Sequence, residues 1–154
     1  DGQSDLSKDF IAYIMSAEGQ TIINEHGYVG SNDAAAYEAN GAEGKLVVGG
    51  SSSVSPVMEK LIEAYKAVNP KADIELQTTD STTGMTAAID GTYDIGMASR
   101  ELKDDEAAAL SHQAIAMDGI AVVVNQANPT DELSVEQIGS IFTGELTKWN
   151  EIVK

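Results

Sequence analysis

The sequence predicts a three-layer α/β fold in which helices cover both faces of a mainly parallel sheet. Two observations lead to this fold class. From residue 45 onward, short apolar segments of strand length alternate with segments of helical periodicity, which is typical of parallel strands joined by helices. The chain has 154 residues and is 42% hydrophobic, which is enough to form an ordinary core. We therefore expect a single compact domain.

Two helices are predicted ahead of the alternating region. Apolar residues recur at helical spacing from Leu6 to Met15 and predict the first helix. A second, short helix is expected over residues 20–25, with Gly27 as its stop. Residues 30–44 consist mostly of Ala, Asn, Gly, Ser and acidic residues, a composition that is typical of a linker.

The alternating region begins with a buried strand over residues 45–48. The helix that follows has an inward stripe of Val57, Leu61, Tyr65 and Val68, and it ends at Asn69. The remaining predicted elements, in order, are strands over residues 73–78 and 94–98 around a helix over 84–89, a helix over 104–110, strands over 114–117 and 120–125, and a helix opened by a capping box of Ser134 and Gln137.

Charge and cysteine content exclude several classes of function. The chain carries 25 acidic and 9 basic side chains, which gives a net charge of -16. Surfaces that bind nucleic acid or anionic membranes need a basic footprint, so neither is expected as a partner. Because the chain has no cysteine, disulfides, thiolate zinc sites and cysteine nucleophiles are excluded.

The turn from Gly49 to Pro56 joins the first strand of the alternating region to its helix. The first backbone N–H groups of a helix have no partner within the helix, and the positive end of the helix dipole lies behind them. Three consecutive serines add hydroxyl donors, and Pro56 stands where a missing N–H costs nothing. This turn is therefore a candidate anion site, although the same pattern also fits a plain N-cap. It is not a P-loop, because no Gly-Lys-Ser/Thr follows.

Two further turns add to this candidate site. Residues 80–84 form a hydroxyl-rich turn between a strand and a helix, and Ser99 with Arg100, the single arginine, ends the next strand. Ligands of open α/β sheets bind beyond the carboxyl ends of the strands, where all three turns fall. The alternatives are an N-cap at residues 80–84 and a surface ion pair of Arg100 with Glu101 or Asp104.

Other groups of residues suggest neither catalysis nor metal binding. His26 and His112 lie far apart in the sequence without a third ligand at metal-binding spacing, so surface or capping roles are favoured. No Gly-x-Ser-x-Gly motif is present, and no base is assigned to a serine nucleophile.

Four motifs carry a resemblance to a known family. They are GGSSSVSP at 49–56, YDIGMASR at 93–100, MDGIAVVVN at 117–125, and IFTG with KW within 141–149. Together they resemble the phosphate-binding proteins of phosphate ABC transporters, which implies a lobe of the periplasmic-binding-protein type II fold over residues 45–153. The resemblance implies neutral phosphate donors, carried here onto Ser52, Ser53, Ser81 and Ser99. Arg100 matches a Ser-Arg pattern of some members and completes the predicted ligand set.

The order of the segments differs from the order expected for this family, because residues 7–29 resemble its C-terminal end. Two explanations fit, namely a cut from a protein with two such modules in tandem, or a circularly permuted lobe. We therefore expect residues 1–29 to be a C-terminal-type helical segment packed on the lobe, residues 30–44 to be a linker, and residues 45–154 to form the first lobe.

The resemblance implies a solute-binding module that captures inorganic phosphate or a related oxyanion without a cofactor and without catalysis. Its implied partners are a second lobe of the same protein and the membrane permease of an ABC transporter. Its implied location is the extracellular side of the cytoplasmic membrane, as a lipoprotein or a periplasmic protein. The alternatives are a degenerate, non-binding copy in a larger tandem extracellular protein and a serine hydrolase.

Overall fold

The sheet consists of parallel strands. In a computed structural model, which describes residues 3–152, β1 spans Gly44–Ser51, β2 spans Ala72–Thr79 and β3 spans Ile95–Met97, and the strands lie in the order β2-β1-β3. Val48 of β1 is paired with Leu76 on one side and with Ile95 on the other. The predicted parallel α/β arrangement is confirmed. Residues 1, 2, 153 and 154, at the outer ends of the expected segments, lie outside the described residues.

Serine side chains cap the two helices that precede the sheet. Ser4 accepts a hydrogen bond from the third residue of α1, and Ser16 accepts one from Gly19 in α2. Because Ser16 is the cap, α2 begins at Ala17, three residues earlier than expected.

The helices are α1 Asp5–Ile14, α2 Ala17–Glu25, α3 Ser55–Val68, α4 Ser81–Ile89, α5 Asp104–Ala109 and α6 Val135–Thr143, followed by a 3-10 turn at Trp149–Glu151.

One face of the sheet carries the main core. Leu46 and Val48 of β1 are fully buried there, together with side chains from the first three helices: Leu6, Phe10, Tyr13, Ile14, Ile23, Val57, Met58, Leu61, Ile62 and Tyr65. The predicted inward stripe of α3 is thus confirmed for its first three members. The fourth member of the stripe, Val68, is 53% exposed. Tyr65 is the last residue of α3 in the buried cluster, and Val68, at the end of the helix, lies beyond it.

Helix α4 covers the opposite face. Gly49 of β1 and Gly96 of β3 are paired in register, so both face away from the side on which Val48 lies. A Cβ on Gly96 would lie 2.7 Å from the Met85 Cε and 3.0 Å from the Ala88 Cβ, both in α4. Helices therefore lie on both faces of the sheet, as the three-layer prediction required.

Helix α4 approaches the sheet so closely that its contact is made through glycine. A Cβ on Gly84 would lie 2.6 Å from the Gly50 Cα and 3.0 Å from the Gly49 carbonyl oxygen. Gly50 itself has a φ of 137°, a conformation that residues with a Cβ rarely adopt. This contact sets the position of the first turn of α4 relative to the ends of β1 and β3.

The expected linker is tied to the core by a buried carboxyl group. Asp9 of α1 is 2% exposed, and its Oδ2 accepts hydrogen bonds from the Tyr37 hydroxyl at 2.6 Å and the Tyr65 hydroxyl at 2.5 Å. The Asn69 side chain in turn donates to the Tyr65 oxygen. Burial and the bond to Asp9 raise the pKa of Tyr65 to about 12. Residues 30–44 are therefore packed through Tyr37 against α1 and α3.

The chain divides into two compact units, one ending at Gly119 and the other beginning at Ile120, where we expected a single domain. The second unit contains α6. Its predicted capping box is confirmed, since Ser134 accepts from the Gln137 N–H and Gln137 accepts from the Ser134 N–H. Gly144 ends α6 in a left-handed conformation, with a φ of 80°.

The two strands predicted after α5 do not form. Residues 114–117 contribute an isolated antiparallel bridge between Met117 and Val29, and residues 120–125 include exposed apolar side chains such as Val123. A strand needs a hydrogen-bonded neighbour, and none pairs with residues 120–125 within the part of the chain that the structure describes. Across residues 3–152, no helix combines the length and the apolar character needed to cross a bilayer.

Replacing Gly84 with alanine should destabilise the protein. Alanine is the better helix former by about 1 kcal/mol, but the added methyl group meets backbone atoms of Gly50. We expect the free energy of unfolding to fall by about 1–3 kcal/mol, measured by chemical denaturation. The matched control is Gly139→Ala in α6, where a Cβ would meet open space and no loss is expected. A Gly84→Ala variant as stable as the parent would contradict the described contact.

Removing the Tyr37 hydroxyl should also destabilise the protein, because Asp9 would lose one of its two phenolic donors. For Tyr37→Phe we expect the free energy of unfolding to fall by about 1–3 kcal/mol. The control is Tyr93→Phe, since the Tyr93 hydroxyl makes a long bond of 3.4 Å to Gln77. Equal effects of the two substitutions in thermal or chemical unfolding would mean that the Asp9 network contributes nothing specific.

Candidate anion-binding site

Three serines from separate turns meet at the carboxyl ends of the strands. Ser51 is the last residue of β1, Ser81 is the first of α4, and Ser99 follows β3. The Ser51 hydroxyl donates to the Ser99 Oγ over 2.9 Å, and the Ser99 backbone N–H donates to the Ser81 Oγ over 3.1 Å. The Ser81 and Ser99 oxygens are 3.4 Å apart. The three turns that the sequence placed at this edge are thus in direct contact.

The first turn presents free donors. Val54 occupies the N-cap position of α3, so no side chain caps this helix, and its first backbone N–H groups remain available to a ligand. Ser52 and Ser53 are exposed, and neither hydroxyl makes a hydrogen bond to another residue within 3–152. The Tyr28 hydroxyl donates to the Ser53 carbonyl oxygen at 2.8 Å and supports the turn from outside.

The second turn has its own cap. Asp80 accepts hydrogen bonds from the backbone N–H groups of Thr82 and Thr83, so those donors are occupied. The Thr83 hydroxyl, followed by these N–H groups, holds the pKa of Asp80 below its ordinary value. Asp80 is therefore the N-cap that the alternative interpretation of this turn required, which leaves the Ser81 side chain free to reach Ser99.

Arg100 is engaged in an ion pair. Its guanidinium donates two hydrogen bonds of 2.8 Å to the carboxylate of Glu106 in α5 and one of 2.9 Å to the Glu101 carbonyl oxygen. A longer contact of 3.4 Å joins it to the Thr82 hydroxyl. The partner is neither of the carboxylates considered from the sequence. Most of the guanidinium N–H groups that Arg100 could offer to a phosphate are therefore already engaged within the protein.

Glu106 is itself held on several sides. It is 5% exposed and also accepts a hydrogen bond from the Lys103 backbone N–H. The Arg100 hydrogen bonds, followed by this N–H, lower the pKa of Glu106 to about 2. The pair therefore stays ionised at neutral pH, and its two charges cancel beside the third turn.

The chemistry available here is the donation of hydrogen bonds. Hydroxyl groups and backbone N–H groups predominate, while the nearest cation is neutralised by Glu106. Proton transfer from a serine would need an adjacent base, and His26 instead bonds the Ile22 carbonyl at the end of α2. Among residues 3–152, no three metal-ligating side chains cluster. Uncharged donors around a common point suit an oxyanion.

Sequence reasoning missed two residues of this site. Ser51 was counted among the three serine donors of the first turn but not among the predicted phosphate ligands, although as the last residue of the strand it faces the neighbouring turn. Glu106 was not considered as a partner of Arg100. Its spacing of six residues from Arg100, with the start of α5 between them, was the available signal.

Comparison with known proteins identifies a family that this chain matches. Residues 35–153 match the model of the PBP superfamily domain. Phosphate-binding protein PstS 2 of Streptococcus agalactiae is 50% identical over 153 residues, or 99% of this chain and 52% of that protein. Phosphate-binding protein PstS of Bacillus subtilis is 31% identical over 79% of this chain and 42% of its own length.

Solved structures agree with these sequence matches. A phosphate-binding protein of a phosphate ABC transporter from Streptococcus pneumoniae matches with a TM-score of 0.87 and 43% identity, over 97% of this chain and 58% of that one. A Clostridium perfringens protein described as a phosphate ABC transporter substrate-binding protein, with bound phosphate, matches with a TM-score of 0.57 and 42% identity. It covers 70% of this chain and 45% of the other.

The comparisons also bear on the order of the segments. One continuous match to the S. agalactiae protein takes in the first helices together with the sheet. The order of segments in this chain is therefore the order in that relative. The chain spans about half the length of the curated relatives it matches.

Weakening the Arg100 ion pair should raise the pKa of Glu106. Arg100→Lys keeps a positive charge but loses the two parallel hydrogen bonds, so we expect the Glu106 midpoint to move from about 2 toward its ordinary value of 4.5. Carboxyl carbon NMR during an acid titration measures it. Because the folded pKa is depressed, the stabilisation from this pair is complete above about pH 4.5 and is lost as the pH falls toward 2. An unchanged midpoint in the variant would contradict the described pair.

Proposed function

Because the chain belongs to the PBP superfamily, we propose that it is a phosphate-capturing lobe of the solute-binding protein of a phosphate ABC transporter. The observation that carries this proposal is the meeting of three hydroxyl-bearing turns at one edge of the sheet, joined by bonds of 2.9 and 3.1 Å. The names of the relatives and the phosphate held by the C. perfringens protein support the choice of ligand.

In this proposal, phosphate is bound by uncharged donors. Ser52 and Ser53 contribute hydroxyls, the start of α3 contributes its free N–H groups, and the hydroxyls of Ser81 and Ser99 complete the half-site. Arg100 was predicted as a ligand, but its bonds to Glu106 favour a supporting role in holding the third turn. A chain of net charge -16 repels anions at a distance, so affinity must come from short-range hydrogen bonds.

The same proposal includes a second lobe, a permease and a location outside the cytoplasmic membrane. The relatives are about twice as long as this chain, which leaves room for a second lobe that would close over the ligand. The proposed role is transport and involves no catalytic step.

Phosphate titration of the ¹⁵N-labelled chain tests the proposal. We expect saturable shifts of the backbone amides of residues 51–55, 81–84 and 99, because these surround the proposed anion. Ser81→Ala should weaken phosphate binding about tenfold or more, since it removes a hydrogen bond to a charged group. Thr21→Ala, which removes an exposed hydroxyl from α2, is the control and should leave the affinity unchanged.

Two outcomes would count against this function. The absence of saturable shifts at tens of millimolar phosphate would exclude a working half-site and favour the non-binding copy. Binding that Ser81→Ala and Ser99→Ala leave intact would show that phosphate sits elsewhere on the chain.

A further inference from the structure

Ser51 is a buried hydroxyl at the centre of the three turns. The residue is 3% exposed, and its carbonyl oxygen accepts hydrogen bonds from the Val54 N–H and the Ser55 hydroxyl. Both the position and the orientation of Ser51 are therefore fixed by the start of α3. With so little exposed surface, Ser51 has hardly any area that a ligand could touch.

The bond from Ser51 determines what Ser99 can offer. A serine hydroxyl has one hydrogen and can accept through two lone pairs. The Ser99 Oγ accepts the Ser51 hydrogen at 2.9 Å, and the Ser81 oxygen lies near it at 3.4 Å. Because one lone pair of Ser99 is engaged on the buried side, the hydrogen of this exposed hydroxyl is directed away from Ser51, toward solvent or the Ser81 oxygen.

We propose that Ser51 is a positioning residue that makes the Ser99 hydroxyl a hydrogen-bond donor toward the bound oxyanion. This inference rests on the proposed function. It adds a residue that does not contact the anion but acts through one that does, by fixing the direction of the Ser99 hydrogen before the anion arrives.

Two physical effects make this arrangement favour an anion. Accepting one hydrogen bond polarises a hydroxyl and strengthens the bond that it donates. A hydroxyl whose rotation is already restricted also loses less freedom when the ligand binds. Without the Ser51 hydroxyl, the Ser99 hydroxyl would lose the hydrogen bond that it accepts on the buried side and would rotate more freely.

A double-mutant cycle tests the proposal, with phosphate affinity measured by the NMR titration described above. We expect Ser51→Ala to weaken phosphate binding about three- to tenfold in the parent chain, the effect of one neutral hydrogen bond. In the Ser99→Ala background, Ser51→Ala should cause no further weakening, because the group through which it acts is already gone. Ser51→Thr, which keeps the hydroxyl, should restore most of the affinity.

The control for a merely structural effect is Ser7→Ala, which removes another buried serine hydroxyl, in α1, with the bond it shares with Ser4, but leaves Ser51 and Ser99 joined. It should leave phosphate affinity within about twofold of the parent chain. Equal weakening by Ser51→Ala with and without the Ser99 hydroxyl would overturn the proposal, as would unchanged affinity in Ser51→Ala. If the parent chain binds no phosphate, the proposed function fails first and the positioning role fails with it.

Discussion

The close approach of two backbones is the constraint on which the rest of this structure depends. Gly84 of α4 lies against Gly50 of β1, so at this point the helix rests on the sheet without side chains between them. That contact brings the first turn of α4 level with the ends of two strands. A side chain at either position would push the turns apart, and hydrogen bonds among Ser51, Ser81 and Ser99 tolerate displacements of only a few tenths of an ångström.

Charge is handled in an unusual way around this edge of the sheet. The chain is strongly acidic overall, and its single arginine is paired with a buried carboxylate. The turns therefore meet solvent with dipoles rather than with a net positive charge. Such a surface distinguishes ligands by the geometry of their oxygen atoms. An anion that reaches only some of the uncharged donors forms few hydrogen bonds and binds weakly.

Much of the fold followed from periodicity, and the failures have physical causes. The parallel strands, the first three members of the α3 stripe and the Ser134 capping box were predicted correctly. Residues 120–125 were predicted as a strand from composition alone, but strand formation depends on a neighbour that local sequence does not specify. At the site, the three turns were predicted correctly from the sequence. The pairing of Arg100 with Glu106 was not, because it depends on the conformation of the loop between β3 and α5.

The site is built from segments that are far apart along the chain, since its hydroxyls come from positions 51, 81 and 99. These groups are close together only in the folded lobe, so a ligand that bridges them binds the native chain and not the unfolded one. Ligand concentration and resistance to unfolding are then thermodynamically linked. The lobe would resist heat and proteases best in surroundings rich in its ligand, and would be most fragile where that ligand is scarce.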